Sequence, residues 1–196
     1  MHNLLIKILL LVFLTCDLSS QSKYTLPCPP LVLQNSETIL ISQVGVKEKT
    51  GNNDGFEVEQ SQYLASVNLK RGNPYCNAGQ YWCFSQVTNE NPNDNPMVKS
   101  GLAISTFNKA KKQGTKVNFK PDKHDLIVWN NKGKITGHIE RIIEVGQKGW
   151  VSTVGFNTSS GMTGNQRDGG GVWKRKRNLY HFLGRMQLLG LVGWRS

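Results

Sequence analysis

The sequence predicts an α+β fold in which helices come first along the chain and an antiparallel sheet follows. From residue 36 to residue 114, apolar residues recur mostly at helical spacing. After residue 124 the pattern changes to short segments, rich in β-branched and aromatic residues, that turn sequences separate. Helices grouped ahead of strands are typical of the α+β class. The 196 residues suit one domain with a sizeable core.

The first twenty residues have the pattern of an export signal. Lys7 precedes a short apolar run over residues 8–14, and small polar residues follow. Because that run is short for a bilayer span, we predict a signal peptide over residues 1–20 that is cleaved near Ser20. The residues before Cys16 also resemble a loose lipoprotein box, in which this cysteine would carry lipid, and a plain apolar N-terminus is the remaining alternative. We therefore expect a secreted, periplasmic or cell-envelope protein.

Export would place the cysteines in an oxidising compartment. Cleavage of the signal leaves Cys28, Cys76 and Cys83, an odd number, so one thiol must stay free or pair with another chain. The sequence leaves open whether Cys28 pairs with Cys83. The spacing of the cysteines and histidines does not match a zinc site, and we expect neither a metal nor another cofactor.

The first part of the chain is predicted to contain four helices. Three prolines within residues 21–35 favour an extended leader before them, and the folded domain is predicted over residues 36–196. Ser36 is the predicted N-cap of the first helix. The other helices are predicted over 56–69, from Cys76 through about residue 87, and over 101–113, the last with Ser100 as its cap and Gly114 as its stop.

The second part of the chain is predicted to form the sheet. The clearest strands are predicted over 125–131, 137–145 and 149–157, and turn sequences rich in glycine, asparagine and lysine separate them. Two further strands are predicted over 171–177 and 186–194.

Cys76 is the candidate nucleophile. It follows three turn-forming residues, 72–74, and opens a predicted helix. The unpaired N–H groups and partial positive charge of a helix N-terminus favour a thiolate, and the N–H of Cys76 is a candidate oxyanion donor. Cys83 lies two turns further along between two aromatic residues, and we interpret it as a buried core cysteine.

His138 is the candidate base for that thiol. It stands near the start of an apolar strand, where alternation places it on one face with Glu140 and away from Arg141. His124 and His181 are alternatives, since an isolated histidine is more often a surface residue or a satisfied core residue than a catalyst.

Asn157 is the candidate for orienting the imidazole ring. It lies at the end of the strand that follows the strand of His138. In an antiparallel hairpin, the end of one strand lies beside the start of its partner, so these two residues are expected to be neighbours. From spacing alone, an ordinary turn role for Asn157 is at least as good an interpretation.

The ordered motifs of the chain resemble those of the CHAP domain, the cysteine- and histidine-dependent amidohydrolase/peptidase family within the NlpC/P60-like papain fold. The motifs are GNPYC at 72–76, HDLIVW at 124–129, GHIERIIEV at 137–145 and GFNTSSG at 155–161. The resemblance covers about residues 39–177 and implies a papain-like NlpC/P60-type fold, with N-terminal helices packed on an antiparallel sheet. It also implies Cys76 as nucleophile, His138 as base and Asn157 as the polar orienting residue.

The sequence departs from the family pattern around the nucleophile. Tyr75 replaces the usual Trp, and the polar residues NAGQ at 77–80 replace an apolar run, which puts the local packing in question. The segment before them resembles the family's first helix and loop. It offers Glu48, Asn52 and Asn53, with Tyr75, as substrate-binding residues of a groove, although Asn-Asn-Asp-Gly is equally good as a plain turn.

The resemblance implies a peptidoglycan hydrolase that cleaves an amide bond, either as an N-acetylmuramoyl-L-alanine amidase or as a cross-link endopeptidase. The net charge of +11 favours an anionic wall polymer or membrane surface as a further partner, and residues 174–177 are the candidate contact. Nucleic acid is not expected as a partner, because the chain has an export signal and no recognisable binding motif. We expect a monomer.

Two other functions remain open at this level. A basic wall-binding module could keep the fold without the chemistry, which the polar residues at 77–80 would favour. A papain-like peptidase that acts on proteins, for example as a toxin, is the other alternative.

Overall fold

The computed structural model describes residues 21–60, 62–132, 134–160 and 170–196. The predicted signal peptide and Cys16 therefore lie outside the described residues. Within the described part, four α-helices, a π-helical turn and seven strands confirm the α+β class. None of the helices in this part is both long and apolar enough to cross a membrane.

The helices precede most of the sheet along the chain. They are α1 (Pro30–Ser42), α2 (Tyr63–Ser66), α3 (Cys76–Ser85) and α4 (Ser105–Gln113), and the π-helical turn Phe56–Gln60 comes before α2. The start of α3 at Cys76 and the end of α4 before Gly114 are confirmed. The helix predicted over 56–69 is instead divided into the π-helical turn and the single turn of α2.

The start of α1 differs from the prediction by seven residues. Pro29 is the N-cap and Pro30 is the first helical residue, where the missing proline N–H would have no intrahelical partner. Ser36, predicted as the N-cap, is buried inside the helix and donates a hydrogen bond to the carbonyl of Leu33 at 3.0 Å. Pro29 and Pro30 therefore mark the start of α1, and the prediction of an extended leader over these residues was wrong.

One seven-stranded sheet forms the second layer. Its strands are β1 (Ser22–Pro27), β2 (Thr115–Val117), β3 (Leu126–Asn130), β4 (Gly137–Val145), β5 (Trp150–Thr158), β6 (Gly171–Asn178) and β7 (Gln187–Arg195). Their order in the sheet is β2-β1-β7-β3-β4-β5-β6. All five strands predicted from the sequence are present, with ends that differ by a few residues.

The sheet is mixed, and the expectation of a purely antiparallel sheet was wrong. Strand β1 lies inside the predicted leader and pairs in parallel with β7, with Ser22 opposite Gly190 and Pro27 opposite Arg195. The other strand pairs are antiparallel. Residues 22–27 were missed because their partner strand lies some 160 residues away, where no local turn sequence signals the pairing.

The polar residues at 77–80 pack α3 closely onto the sheet. Gly79 faces the ring of Phe156 on β5, and a Cβ at this position would lie 2.2 Å from that ring. Gln80 is fully buried and donates a hydrogen bond from Nε2 to the carbonyl of Val154 at 2.9 Å. Asn77 donates a hydrogen bond to the carbonyl of Ser100. These residues have structural roles, so they no longer favour a fold without chemistry.

The two faces of β4 have different neighbours. Ile139 belongs to the core under the helices, and Arg141 donates hydrogen bonds to Ser36 Oγ and to the carbonyl of Leu33 in α1. Ile142 packs with Trp129 in a second apolar cluster. The alternation predicted for this strand therefore holds, with His138 and Glu140 on the side away from Arg141.

Candidate active site

Cys76 is the first residue of α3, as predicted. Gly72, with φ of +84°, allows the turn that precedes the helix. The side chain of Cys76 is buried, with 4% of the residue exposed. Since the first N–H groups of a helix have no intrahelical acceptor, the backbone N–H of Cys76 is available to an oxygen that lies beside the sulfur.

The structure brings His138 to this thiol. His138 is the second residue of β4, is 4% exposed, and lies close enough to Cys76 for the thiol to act on the pKa of its ring. The Nε2 atom of the ring lies 3.0 Å from Oε1 of Glu140, which leaves Nδ1 as the nitrogen for the sulfur. A thiol, an imidazole and a carboxylate are therefore neighbours in one buried group, in which a hydrogen bond joins the ring to the carboxylate.

Glu140, and not Asn157, is the residue whose side chain is hydrogen-bonded to the His138 ring. It lies two residues after His138, so strand alternation brings both side chains to one face. Its carboxylate accepts hydrogen bonds from Thr153 Oγ1 at 2.6 Å and from Arg177 Nε at 2.9 Å, and Arg177 Nη2 bonds the second oxygen. Glu140 is fully buried, and every oxygen of its carboxylate has a partner.

Gly155 makes room for that carboxylate. It pairs with Glu140 across the β4–β5 ladder, and a Cβ at this position would lie 2.8 Å from Glu140 Oε1. Any side chain here would displace the carboxylate from His138, so the glycine is required by a close approach of its neighbour.

The charges of Glu140 and His138 follow from these contacts. Burial acts to raise the pKa of Glu140, but hydrogen bonds from Arg177 and His138 hold it well below its usual range. Burial acts to lower the pKa of His138, but its interactions with Cys76 and Glu140 raise it to about 9. At neutral pH the ring is therefore an imidazolium between a carboxylate and a sulfur.

Asn157 lies near His138 in the sheet, but its side-chain oxygen is not hydrogen-bonded to the ring. The β4–β5 register pairs Glu140 with Gly155, and two further residues along each strand lead to His138 and Asn157. Asn157 is buried with φ of +50°, and its Oδ1 has no hydrogen-bond partner. Because Nε2 of His138 is bonded to Glu140, the orienting role assigned to Asn157 is not supported by the geometry.

Three of the four residues predicted to bind substrate form one network. Tyr75 is fully buried and donates its hydroxyl to Glu48 Oε1 at 2.9 Å, and it accepts a hydrogen bond from the backbone N–H of Asn157. The other oxygen of Glu48 accepts the backbone N–H of Asn53 at 2.9 Å. Asn52 is exposed and bonds only within its own turn, to Thr50 Oγ1.

The other candidate cysteines and histidines lie in different surroundings. Cys83 is fully buried in the core, as predicted, and burial raises the pKa of its thiol. Cys28 is also buried and free, and burial raises its pKa to about 11. His124 lies against Arg141, 3.0 Å from Nη2, and His181 packs on the ring of Trp150. None of these four side chains has a contact with Cys76 in the described structure.

Two residues of the site were missed from the sequence. Glu140 shares a strand face with His138, so the period of two was a signal that could have identified it. Arg177 was assigned to a surface contact, because the four consecutive cations 174–177 give no sign that the last of them is buried.

A cavity of about 440 Å³ lies elsewhere and is lined by a different charge cluster. In its lining Lys23 donates to the carbonyl of Lys120 and contacts Asp122 and Asp125, each within 3 Å. These three acceptors match the three N–H groups of the Lys23 ammonium, so that ammonium has no donor left for a ligand. Within the described ranges, no three His, Cys, Asp or Glu side chains are grouped to hold a metal ion.

Comparison with known proteins adds no relative to this geometry. No protein-family model matches the chain, and neither does any curated protein or solved structure.

Proposed function

We propose that this protein is a cysteine-dependent hydrolase with a papain-like NlpC/P60-type fold that cleaves an amide bond of peptidoglycan. The observation that carries the proposal is the buried group in which His138 lies beside Cys76 and is hydrogen-bonded to Glu140. A nucleophile beside a base, with the base held by a third group, is the arrangement that activates a weak nucleophile for acyl transfer.

In the first half of the reaction, the Cys76 thiolate attacks the amide carbonyl carbon. The carbonyl π electrons move to oxygen, and the N–H of Cys76 at the start of α3 is placed to donate to that oxyanion. As the tetrahedral intermediate collapses, the C–N bond breaks and the His138 imidazolium gives its proton to the leaving amine. A thioester on Cys76 and a neutral His138 remain.

In the second half, the neutral ring of His138 takes a proton from water, and the resulting hydroxide attacks the thioester carbonyl. Collapse of the second tetrahedral intermediate releases the carboxylic acid and restores the thiolate beside an imidazolium. Glu140 stays ionised throughout, since its role is to hold the tautomer and orientation of the ring and to stabilise its positive charge.

The choice of peptidoglycan as substrate is supported by the sequence more than by the geometry. The ordered motifs resemble those of a family that acts on cell walls, and the first twenty residues have the pattern of an export signal. Substrates would be a muramoyl–alanine amide or a cross-link amide. We propose that Glu48 contacts the peptide near the nucleophile, while the buried Tyr75 and Asn53 hold its carboxylate in place.

The charge of the protein favours an anionic surface around that substrate. Lys174 and Lys176 are exposed on β6, an edge strand of the sheet, and Lys176 lies over the ring of Trp150. We propose that these two lysines contact wall phosphates, carboxylates or anionic lipid. If so, binding to cell walls should weaken as the salt concentration rises.

Digestion of purified peptidoglycan tests the proposal. Cys76→Ala and Cys76→Ser should lose activity by about a thousandfold or more, whereas Cys28→Ser, which removes a buried thiol outside the site, should keep it. Mass spectrometry of the fragments identifies the bond, because a new N-terminal alanine and a new cross-link amine are distinct products. Equal digestion by wild type and Cys76→Ala would refute the proposal, and cleavage of casein alone would move the substrate to proteins.

A further inference from the structure

We propose that Arg177 is a positioning residue that fixes the Glu140 carboxylate against His138 and thereby keeps the ring charged beside Cys76. This inference rests on the proposed function, because it concerns the same thiol and imidazole. It assigns a role inside the site to a residue that the sequence places in a basic surface strand.

The burial pattern of β6 separates Arg177 from its charged neighbours. Lys174 and Lys176 are exposed, whereas Arg177 is 9% exposed although it lies on the same short strand. Strand β6 is two strands away from β4 in the sheet, so the long side chain of Arg177 reaches across β5 to Glu140. Unlike its exposed neighbours Lys174 and Lys176, Arg177 is therefore buried and bonded to the Glu140 carboxylate.

Arg177 contacts the Glu140 carboxylate through two hydrogen bonds. Nε donates to Oε2 at 2.9 Å and Nη2 donates to Oε1, the same oxygen that His138 Nε2 approaches. A guanidinium presents two parallel donors to a carboxylate, so it fixes the plane of the carboxylate as well as its position. The oxygen that faces His138 cannot rotate away while both bonds are present.

The electrostatic consequence concerns the titratable and charged groups of the described residues that act on the pair. These are Cys76 from α3, His138 from β4, and Arg175 and Arg177 from β6, while β5 contributes the neutral hydroxyl of Thr153. Burial alone would favour the protonated acid at Glu140, and Arg177 is the cation bonded to it that opposes this effect. A neutral Glu140 would not stabilise an imidazolium, and the ring would lose its proton at lower pH.

Thiol alkylation provides a test that requires no substrate. The second-order rate of Cys76 with iodoacetamide is measured against pH for wild type, Arg177→Gln and the surface control Lys116→Gln, which changes an exposed lysine on the opposite edge strand β2. We expect Arg177→Gln to alkylate about tenfold more slowly at pH 7, because a neutral ring stabilises the negative charge on the reacting sulfur less, and to shift its profile along the pH axis. Lys116→Gln should follow the wild-type profile.

A second measurement covers the case in which Arg177→Gln leaves Glu140 buried without a partner and fails to fold. The conservative variant Arg177→Lys keeps a cation beside Glu140 but cannot make both of the hydrogen bonds that a guanidinium makes. The ring protons of His138, followed by NMR, should then titrate at a lower pH than in wild type, because the carboxylate is less firmly held against the ring.

A wild-type alkylation profile in folded Arg177→Gln, or a wild-type titration of His138 in Arg177→Lys, would overturn the role of Arg177. Failure of the proposed substrate has a different signature. In that case wild type would not digest peptidoglycan, yet the alkylation and NMR differences between the variants would remain.

Discussion

Two histidines that lie near opposite faces of β4 differ in charge at neutral pH. His138 is protonated, and His124 is neutral. His138 contacts the carboxylate of Glu140, and its pKa is raised to about 9. His124 lies 3.0 Å from the guanidinium of Arg141, and burial together with that cation lowers its pKa to about 4. Both side chains are largely buried, so the sign of the nearest charge, and not burial, separates a candidate catalyst from a structural residue.

The arginines near the two histidines, Arg141 and Arg177, lie on strands whose side chains alternate between the two faces of the sheet. Arg141 is one residue after Glu140 on β4, yet it points to α1 and the ring of Phe84, whereas Glu140 points to Arg177. Adjacent residues in one strand thus create two different electrostatic environments. The comparison can be tested by changing one histidine, then its partner, then the solution pH.

The largest effect is expected from changing the histidines themselves. His138→Gln should lower the rate of amide hydrolysis by roughly a thousandfold, because it removes the proton donor for the leaving amine. His124→Asn, the matched control, should stay within an order of magnitude of wild type. Asparagine keeps an acceptor for Arg141 and tolerates the φ of +76° at this position.

Initial rates on purified peptidoglycan, with circular dichroism to confirm folding, provide the measurement. An equal loss in both variants would mean that the two histidines do not differ in function, and the comparison would fail.

The next largest effect distinguishes the role of Glu140 from that of Asn157. Glu140→Gln should lower activity by roughly a hundredfold and move the titration of His138 toward lower pH, because the ring loses its negative partner. Asn157→Gly keeps the positive φ available and should leave the titration of His138 unchanged. NMR titration of the His138 ring in both variants checks this expectation.

If Asn157→Gly shifted the His138 titration as strongly as Glu140→Gln, the orienting role would return to Asn157. That result would restore the residue implied by the family resemblance.

Opposite pKa shifts predict opposite pH dependences of stability. For His138, whose pKa rises from 6.5 to about 9, the added stability is complete below pH 6.5 and is lost as pH rises toward 9. For His124, whose pKa falls from 6.5 to about 4, it is complete above pH 6.5 and is lost as pH falls toward 4. Each loss should be on the order of 1.4 kcal/mol per pKa unit at most.

Urea unfolding at several pH values measures both limbs. His138→Gln should flatten the alkaline limb and His124→Asn the acid limb, while the other limb remains. Hydrolytic activity should also fall as pH rises through about 9, since His138 then lacks the proton for the leaving amine. A single variant that removed both limbs would contradict the independence of the two environments.

The smallest effect concerns packing beneath the site. Gly79→Ala would push a methyl group into the ring of Phe156, so we expect about 1–3 kcal/mol of destabilisation with little change in the pH profile. Thermal unfolding measures the first quantity and the alkylation rate of Cys76 the second. A large change in the alkylation profile would show that the position of α3 is coupled to the charge of His138.

Local sequence patterns correctly predicted the helix and strands whose ends are marked by nearby turn residues. The strands containing His138 and Asn157 have turn sequences beside them, and the turn before Cys76 marks the start of α3 correctly. What local patterns could not reveal were pairings between distant segments. Residues 22–27 find their parallel partner in β7, and the proline-rich segment beside them looks like a leader until that partner is known.

The same limit applies to the candidate site. Cys76 and His138 follow from motif and spacing, whereas Arg177 reaches Glu140 across an intervening strand, and its four-residue basic run favours a surface. Asn157 was chosen because hairpin geometry places it near His138. The decisive fact was the direction of the Glu140 side chain two residues along the same strand.

The parallel pairing of β1 with β7 has a consequence for how this chain acquires its shape. Residues 28–186 separate the two strands, and β7 also lies between β1 and β3 in the sheet. During synthesis β1 can complete its pairing only after β7 has emerged, because its only other neighbour in the described sheet is the three-residue β2. Folding should consequently be slow, so that the sheet beneath the candidate site is complete only after residues 187–195 have been made.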